Sequence, residues 1–182
     1  MKISLTTRFL SLAAVSLLVA TACTSTRTQK SAGETIDDGV ISTQVNTALV
    51  SDSLTKAHNI DVEVFKGRVQ LNGFVGSNAE RQQAVALTRK VNGVTAVDNN
   101  LALQGEKRTT GETTDDAALT SKVKSALIAD ERTKAHEINV ETQHSVVLLA
   151  GFVANSSSRS AAGDIARSIS GVKKVDNQIA IK

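Results

Sequence analysis

Residues 33–103 recur as residues 111–181, at a constant offset of 78 and without a gap, and 30 of the 71 paired positions are identical. Gly33-Glu34-Thr35 returns as Gly111-Glu112-Thr113, Thr55-Lys56-Ala57-His58 as Thr133-Lys134-Ala135-His136, and Gly73-Phe74-Val75 as Gly151-Phe152-Val153. Two copies are too few for a solenoid, and a unit of this length is a small domain, so the repeat predicts a tandem pair. The intervening segments, Thr24 to Ala32 and Gln104 to Thr110, are polar and rich in Thr, Ser, Gly and charge, as tethers and linkers are. The resulting layout is a leader at 1–22, a tether at 23–32, a first domain at 33–103, a linker at 104–110 and a second domain at 111–182. Such a linker predicts that damage to one core stays in one copy.

Within each copy the hydrophobic period changes in a fixed order. Ile41, Val45, Ala48 and Leu49, and again Leu119, Val123, Ala126 and Leu127, mark one face of a helix. Thr35 and Asp38 have capping-box spacing at its start. Alternation follows: Ile60, Val62 and Val64, then a Lys66-Gly67 turn, then Val69, Leu71, Gly73 and Val75, which together make a hairpin. A second helix buries Ala84, Leu87 and Val91, or Ala162, Ile165 and Ile169, and Gly93 or Gly171 stops it as a C-cap. A last strand alternates Val97, Asn99, Leu101 and Leu103; Asn99 and its counterpart Asn177 fall on the inward parity, where a buried amide calls for a structural hydrogen bond. The order is α-β-β-α-β, an α+β fold with two helices on one face of a three-stranded sheet.

The extreme N-terminus is different. Behind Lys2 and Arg8 lies an apolar run from Phe9 to Ala22, long enough for a secretory signal and too short to span a bilayer. The single cysteine, Cys23, follows at once, so no internal disulfide is possible. Val19-Ala20-Thr21-Ala22-Cys23 resembles a bacterial lipobox, departing from it at Ala20, where Leu is usual. That resemblance implies diacylglyceryl attachment to Cys23 with further acylation, and Thr24, in place of Asp, implies sorting to the outer membrane. The other reading is an ordinary signal cleaved after Ala22, which leaves a free thiol in an oxidising compartment.

The helix Val45-x-x-Ala48-Leu49, the hairpin Ile60-x-Val62 with Gly67-x-Val69-x-Leu71-x-Gly73, and the closing Gly93-Val94-x-x-Val97-x-Asn99-x-Leu101 resemble the BON domain. The second copy repeats the pattern from Val123 to Ile179 but reads Gln143-His144-Ser145-Val146 where the family's hairpin usually has Gly, which predicts a turn that is wider or of different shape. The resemblance implies two tandem BON domains on a lipoprotein of the Gram-negative envelope, and the lack of a nucleophile or acid-base pair predicts no enzymatic reaction and no cofactor. The resemblance also implies association with phospholipid or a membrane surface, and support of envelope integrity under stress.

Charge excludes one class of partner. Removing residues 1–22 takes Lys2 and Arg8 from the 21 basic groups, leaving 19 against 18 acidic, and neither copy concentrates the positive charge that phosphate backbones require. Three histidines and one thiol lack metal or catalytic spacing: His58 and His136 follow the first helix, and His144 lies in a hairpin turn. The candidate membrane contact is on the first helix of the second copy, where Lys124 and Ile128 project from the core face, Lys122 flanks them, and Arg132 and Lys134 follow. The equivalent residues of the first copy, Gln44, Asn46, Val50, Leu54 and Lys56, carry far less charge, and the chain has no Trp or Tyr as an interfacial anchor. Two readings are open for these side chains: anionic phospholipid against the second copy, or a solvated face on a tethered module that binds an envelope protein.

Overall fold

The computed structural model describes residues 32–55, 60–105, 109–133 and 137–182. The leader, Cys23, Lys56, His58, Lys134 and His136 lie outside these residues. The first domain runs α1 (Ala32–Ser51), β1 (Ile60–Phe65), β2 (Arg68–Val75), α2 (Asn78–Arg89) and β3 (Ala96–Leu103). The second runs α3 (Thr110–Ala129), β4 (Ile138–Gln143), β5 (Val146–Val153), α4 (Ser156–Ser168), β6 (Lys174–Asn177) and β7 (Ala180–Ile181). In each, the hairpin is antiparallel and the last strand lies parallel to the central one, which is β2 or β5. The last strand of the second copy is broken at Gln178 and Ile179 but keeps one register with β5 on both sides of the break.

The cores are the stripes that the helical period marks. Ile41, Val45 and Leu49 of α1 pack with Val69, Leu71 and Val75 of β2 and Ala84 of α2. Val123 and Leu127 of α3 pack with Val147, Leu149 and Val153 of β5 and Ala162 and Ala166 of α4. At the ends of the two first helices, Thr55 and Thr133 are buried, and their hydroxyls donate to the carbonyls of Leu49 and Leu127, which no longer have a helical partner.

Three local expectations are corrected. The first helices begin a turn earlier than the Thr35 and Asp38 spacing implies, and in α3 the capping box is Thr109 with Glu112. Asp38 and Asp116 then fall nearly two turns inside their helices, where they are buried and reach across to the hairpins. Asp38 accepts the backbone N–H groups of Lys66 and Gly67 at 2.8 Å each, and Asp116 accepts those of His144 and Ser145 at 2.9 Å each. Secondly, the hairpin of the second copy is not wider. His144 (φ 50°) and Ser145 (φ 64°) adopt the left-handed conformation of Lys66 (φ 51°) and Gly67 (φ 74°), as a two-residue turn of the favoured hand requires. The Asp116 carboxylate holds Ser145 in a conformation that an L side chain disfavours by about 1–2 kcal/mol. Thirdly, Gly93 and Gly171 do not cap α2 and α4, whose C-caps are Lys90 and Ile169; they turn the chain beyond. Their positive φ disfavours any side chain, and a Cβ would press on the ends of Ile41 and Leu119.

The largest departure is on the other face of each sheet. Gln70 and Asn72 of β2 are buried, as are Leu148, Ala150 and Phe152 of β5, although the helices cover the opposite parity. These second faces meet. Phe65 stacks on Phe152 with ring centroids 5.5 Å apart, and Gln70 Oε1 accepts the Gly151 N–H at 2.9 Å. At the rim Asn139 donates to Asp61, its own counterpart in the repeat, and Lys182 lies over the Phe65 ring while pairing with Glu137 at 2.6 Å. The molecule is therefore a four-layer sandwich, helices outside and two sheets inside, and the linker does not insulate the copies. Asn177 makes its expected bond, donating to the Arg159 carbonyl at 2.9 Å, whereas Asn99 is exposed.

Truncating fully buried Leu127 to Ala should cost about 2–5 kcal/mol, and because the sheets share an interface the loss should lower protection of amides in both domains. Hydrogen exchange followed in denaturant checks this against a loss confined to residues 111–182. In the hairpin, Ser145→Gly should gain about 0.5–1 kcal/mol by relieving the left-handed side chain. Asp116→Ala should lose about 3 kcal/mol by leaving two turn N–H groups without an acceptor. Chemical denaturation midpoints measure both.

Candidate functional site: the outer face of the third helix

Layering determines what α3 can present. Its inner stripe, Leu119, Val123 and Leu127, is buried under the second sheet, so the residues between them face outward. Lys122, Lys124 and Ile128 are all exposed, and Ile128, at 73%, is the most exposed large apolar side chain among the described residues. They do not form one cluster. Lys122 sits in a shallow groove between α3 and the end of α4, with Ser121, Ser125, Ser168, Ile169 and Ser170. Lys124 is on the opposite flank, close enough to Glu141 of β4 to favour that carboxylate's charged form. Ile128 lies between the two flanks on the helix surface, so an approaching surface would meet an apolar tip with an ammonium group on either side.

Arg132 does not join them as a free cation. Its guanidinium grips Asp130, with Nε to Oδ1 at 2.9 Å and Nη2 to Oδ2 at 2.6 Å, and its backbone N–H donates to the same carboxylate. This two-pronged hydrogen bonding holds the Asp130 carboxyl down to about 2 and raises the guanidinium further above its ordinary value. The pair turns the chain after α3 and delivers Thr133 to the helix end. Of the residues singled out from sequence, Lys122, Lys124 and Ile128 are exposed around one helix without forming a cluster, and Arg132 is committed to a neighbour.

The first copy presents different chemistry at the same positions. From Gly39 to Ser51 α1 has no charged residue, and Val40, Val50 and Leu54 are exposed at 50%, 65% and 49%. Asp52, the counterpart of Asp130, accepts from Gln83 of α2 at 2.9 Å, the main cause of its lowered pKa, and also receives the Leu54 and Thr55 N–H groups. Because the sheets face each other, α1 and α3 lie on opposite outer sides of the sandwich.

Sequence reasoning missed a cleft where the domains meet. It has a volume of about 690 Å³ and lies between the end of β3 and the second hairpin, with Phe74, Leu103, His144, Lys174, Glu112 and Asp176 among its walls. Its signal was the unbroken apolar run from Val146 to Val153, which marks a strand buried on both faces. Among the described residues there is no group of three or more His, Cys, Asp or Glu side chains that could hold a metal ion. No described helix is long and apolar enough to cross a membrane.

The BON domain family matches this chain twice, over residues 37–105 and 115–182. Osmotically-inducible protein Y of Escherichia coli (strain K12) is 34% identical over 151 residues, covering 82% of this chain and 75% of that one. Outer membrane lipoprotein DolP of Haemophilus influenzae is 37% identical over 147 residues, covering 80% of this chain and 75% of that one. Among solved structures, the C-terminal domain of CdsD, a structural protein of the Type III secretion system of Chlamydia trachomatis, is 15% identical over 80% of this chain and 67% of that one. Its TM-score of 0.32 is too low to carry an argument.

Proposed function

Because the chain belongs to the BON domain family and carries two such domains in tandem, we propose that it is a non-enzymatic lipoprotein of the outer membrane, facing the periplasm, whose second domain binds anionic phospholipid. In this reading Cys23 carries the acyl chains, the tether supplies a high local concentration, and α3 makes the contact that supports envelope integrity under stress. The name of the Haemophilus relative, an outer membrane lipoprotein, and of the Escherichia relative, osmotically inducible, support the location and the role. The single observation that carries the lipid contact is the exposed Ile128 with Lys122 and Lys124 on its two flanks. An aliphatic tip can enter the headgroup layer while each ammonium meets lipid phosphate, at roughly 1 kcal/mol per cation near an anionic surface.

A second reading has its own observation. The charge-free outer face of α1, with Val40, Val50 and Leu54 exposed, suits a protein partner in the envelope better than an anionic surface. Since α1 and α3 are on opposite sides, the two contacts are compatible in one molecule.

Replacing Lys122 and Lys124 with Glu should weaken binding of the protein to anionic vesicles at least tenfold at low salt, and the effect should fade as salt rises. Ile128→Asp should weaken binding at all salt concentrations, because apolar burial is not screened. Arg132→Ala should change binding least of the basic residues, since its charge is already met by Asp130. Vesicle sedimentation measures all three, and unchanged binding in the first two variants would remove α3 as the contact. Cys23→Ser should release the protein from the membrane fraction while leaving its melting temperature unchanged; retention in the detergent phase would remove the lipid anchor.

A further inference from the structure

The interface between the two sheets buries both aromatic and amide side chains and is acidic at one rim. Asn139 and Glu141 are two residues apart on β4 and share the face that meets the first domain, where Asn139 donates to Asp61 of β1. Glu141 therefore sits beside the Asp61 carboxylate, with Glu63 two residues further along the same face of β1. Its partner across the hairpin is Leu148 of β5, which offers no charge, and the cation that faces it is Lys124 from α3. Deeper in the interface the Asn72 side chain is fully buried, and its Nδ2 finds no acceptor. Gln70 supplies the central cross-domain bond to the Gly151 N–H. Asn72 Oδ1 accepts from Asn100 at 2.9 Å, but an interface that leaves the amide's Nδ2 unmatched and brings two carboxylates near each other is held with little to spare.

We propose that the proton on Glu141 sets how tightly the two domains dock, so that acid closes the sandwich and alkali loosens it. With Glu141 protonated, the rim has one carboxylate fewer to desolvate and no repulsion against Asp61. With Glu141 ionised, the repulsion from Asp61 and the burial that the first domain adds both fall on the docked form, and Lys124 offsets only part of them. Burial first, and Asp61 second, push the Glu141 carboxyl up to about 7 from an ordinary 4.5. A carboxyl whose value is raised by docking favours the docked form below its undocked value, and that advantage is lost as pH rises to about 7. If the whole shift arose on docking, the docking equilibrium would change by about 300-fold across this window.

The Gly151 amide reports docking directly, because its acceptor belongs to the other domain. In the full chain, exchange of that amide, corrected for intrinsic rate, should be at least tenfold slower at pH 5 than at pH 8. Glu141→Gln should abolish the difference and keep the slow rate at both pH values. Asp61→Asn should move the midpoint to lower pH, since it removes the like charge but keeps an oxygen for Asn139. Protection of Gly151 that is independent of pH in the wild type, or a full pH dependence in Glu141→Gln, would overturn the proposal. If Glu141→Gln does not fold, carboxyl NMR of the wild-type protein decides the matter: a Glu141 midpoint near 7 is expected, and one below 5 overturns it.

Discussion

A three-stranded sheet with two helices has one covered face and one bare face, and in a domain of about 70 residues, whose single core is marginal, covering the bare face adds stability that the domain has little of by itself. This chain meets that constraint with its own duplicate. Leu148, Ala150 and Phe152 are buried against the first domain, and Gln70 and Asn72 against the second, so each sheet serves as the other's second layer. Everything functional follows from that choice. With the sheets inside, only the helices, the hairpin turns and the rim of the interface are available to partners.

Each hairpin is held to its helix by a buried carboxylate. A two-residue turn in the left-handed conformation leaves successive backbone N–H groups pointing the same way, and Asp38 or Asp116 accepts both. This latch explains how the second copy keeps the turn without glycine: at Ser145 the fold relies on the Asp116 bond. At Gly67 glycine meets a second demand, because a Cβ there would stand 2.7 Å from the Gly93 carbonyl oxygen.

What could be read from the sequence was local. Helical and alternating periods place α1 through β3 and their repeats in the right order, and the stripe Val45 to Leu49 is the core stripe, because period and burial are properties of single elements. What could not be read depended on contacts distant in sequence. Asp38 looks like a capping residue because Thr35 stands three positions before it, and nothing nearby reveals a hairpin 28 residues ahead. Gln70 and Asn72 alternate with Val69 and Leu71 as a solvent face would, so the first copy hides the interface that the apolar β5 of the second copy betrays. For the candidate site, sequence placed Lys122, Lys124 and Ile128 on one helix surface, but the ion pair of Arg132 with Asp130 depends on how the chain turns after α3.

The two copies differ at the positions where their sheets meet and along their outer first helices. At the interface, Gln70 answers to Leu148, Asn72 to Ala150 and Phe65 to Gln143, so polar and apolar residues alternate between equivalent positions. A second-copy face against another second-copy face would press Leu148 on its like, but would have no Gln70 to accept the Gly151 N–H; two first-copy faces would bury two pairs of amides. The cross-domain bond thus favours the mixed pair and fixes its register. On the outside, divergence takes the other form: Gln44 and Asn46 correspond to Lys122 and Lys124, so the outer helix of one copy is neutral and that of the other basic. Complementarity within and difference without are what turn a duplicated domain into a single body with two distinct faces.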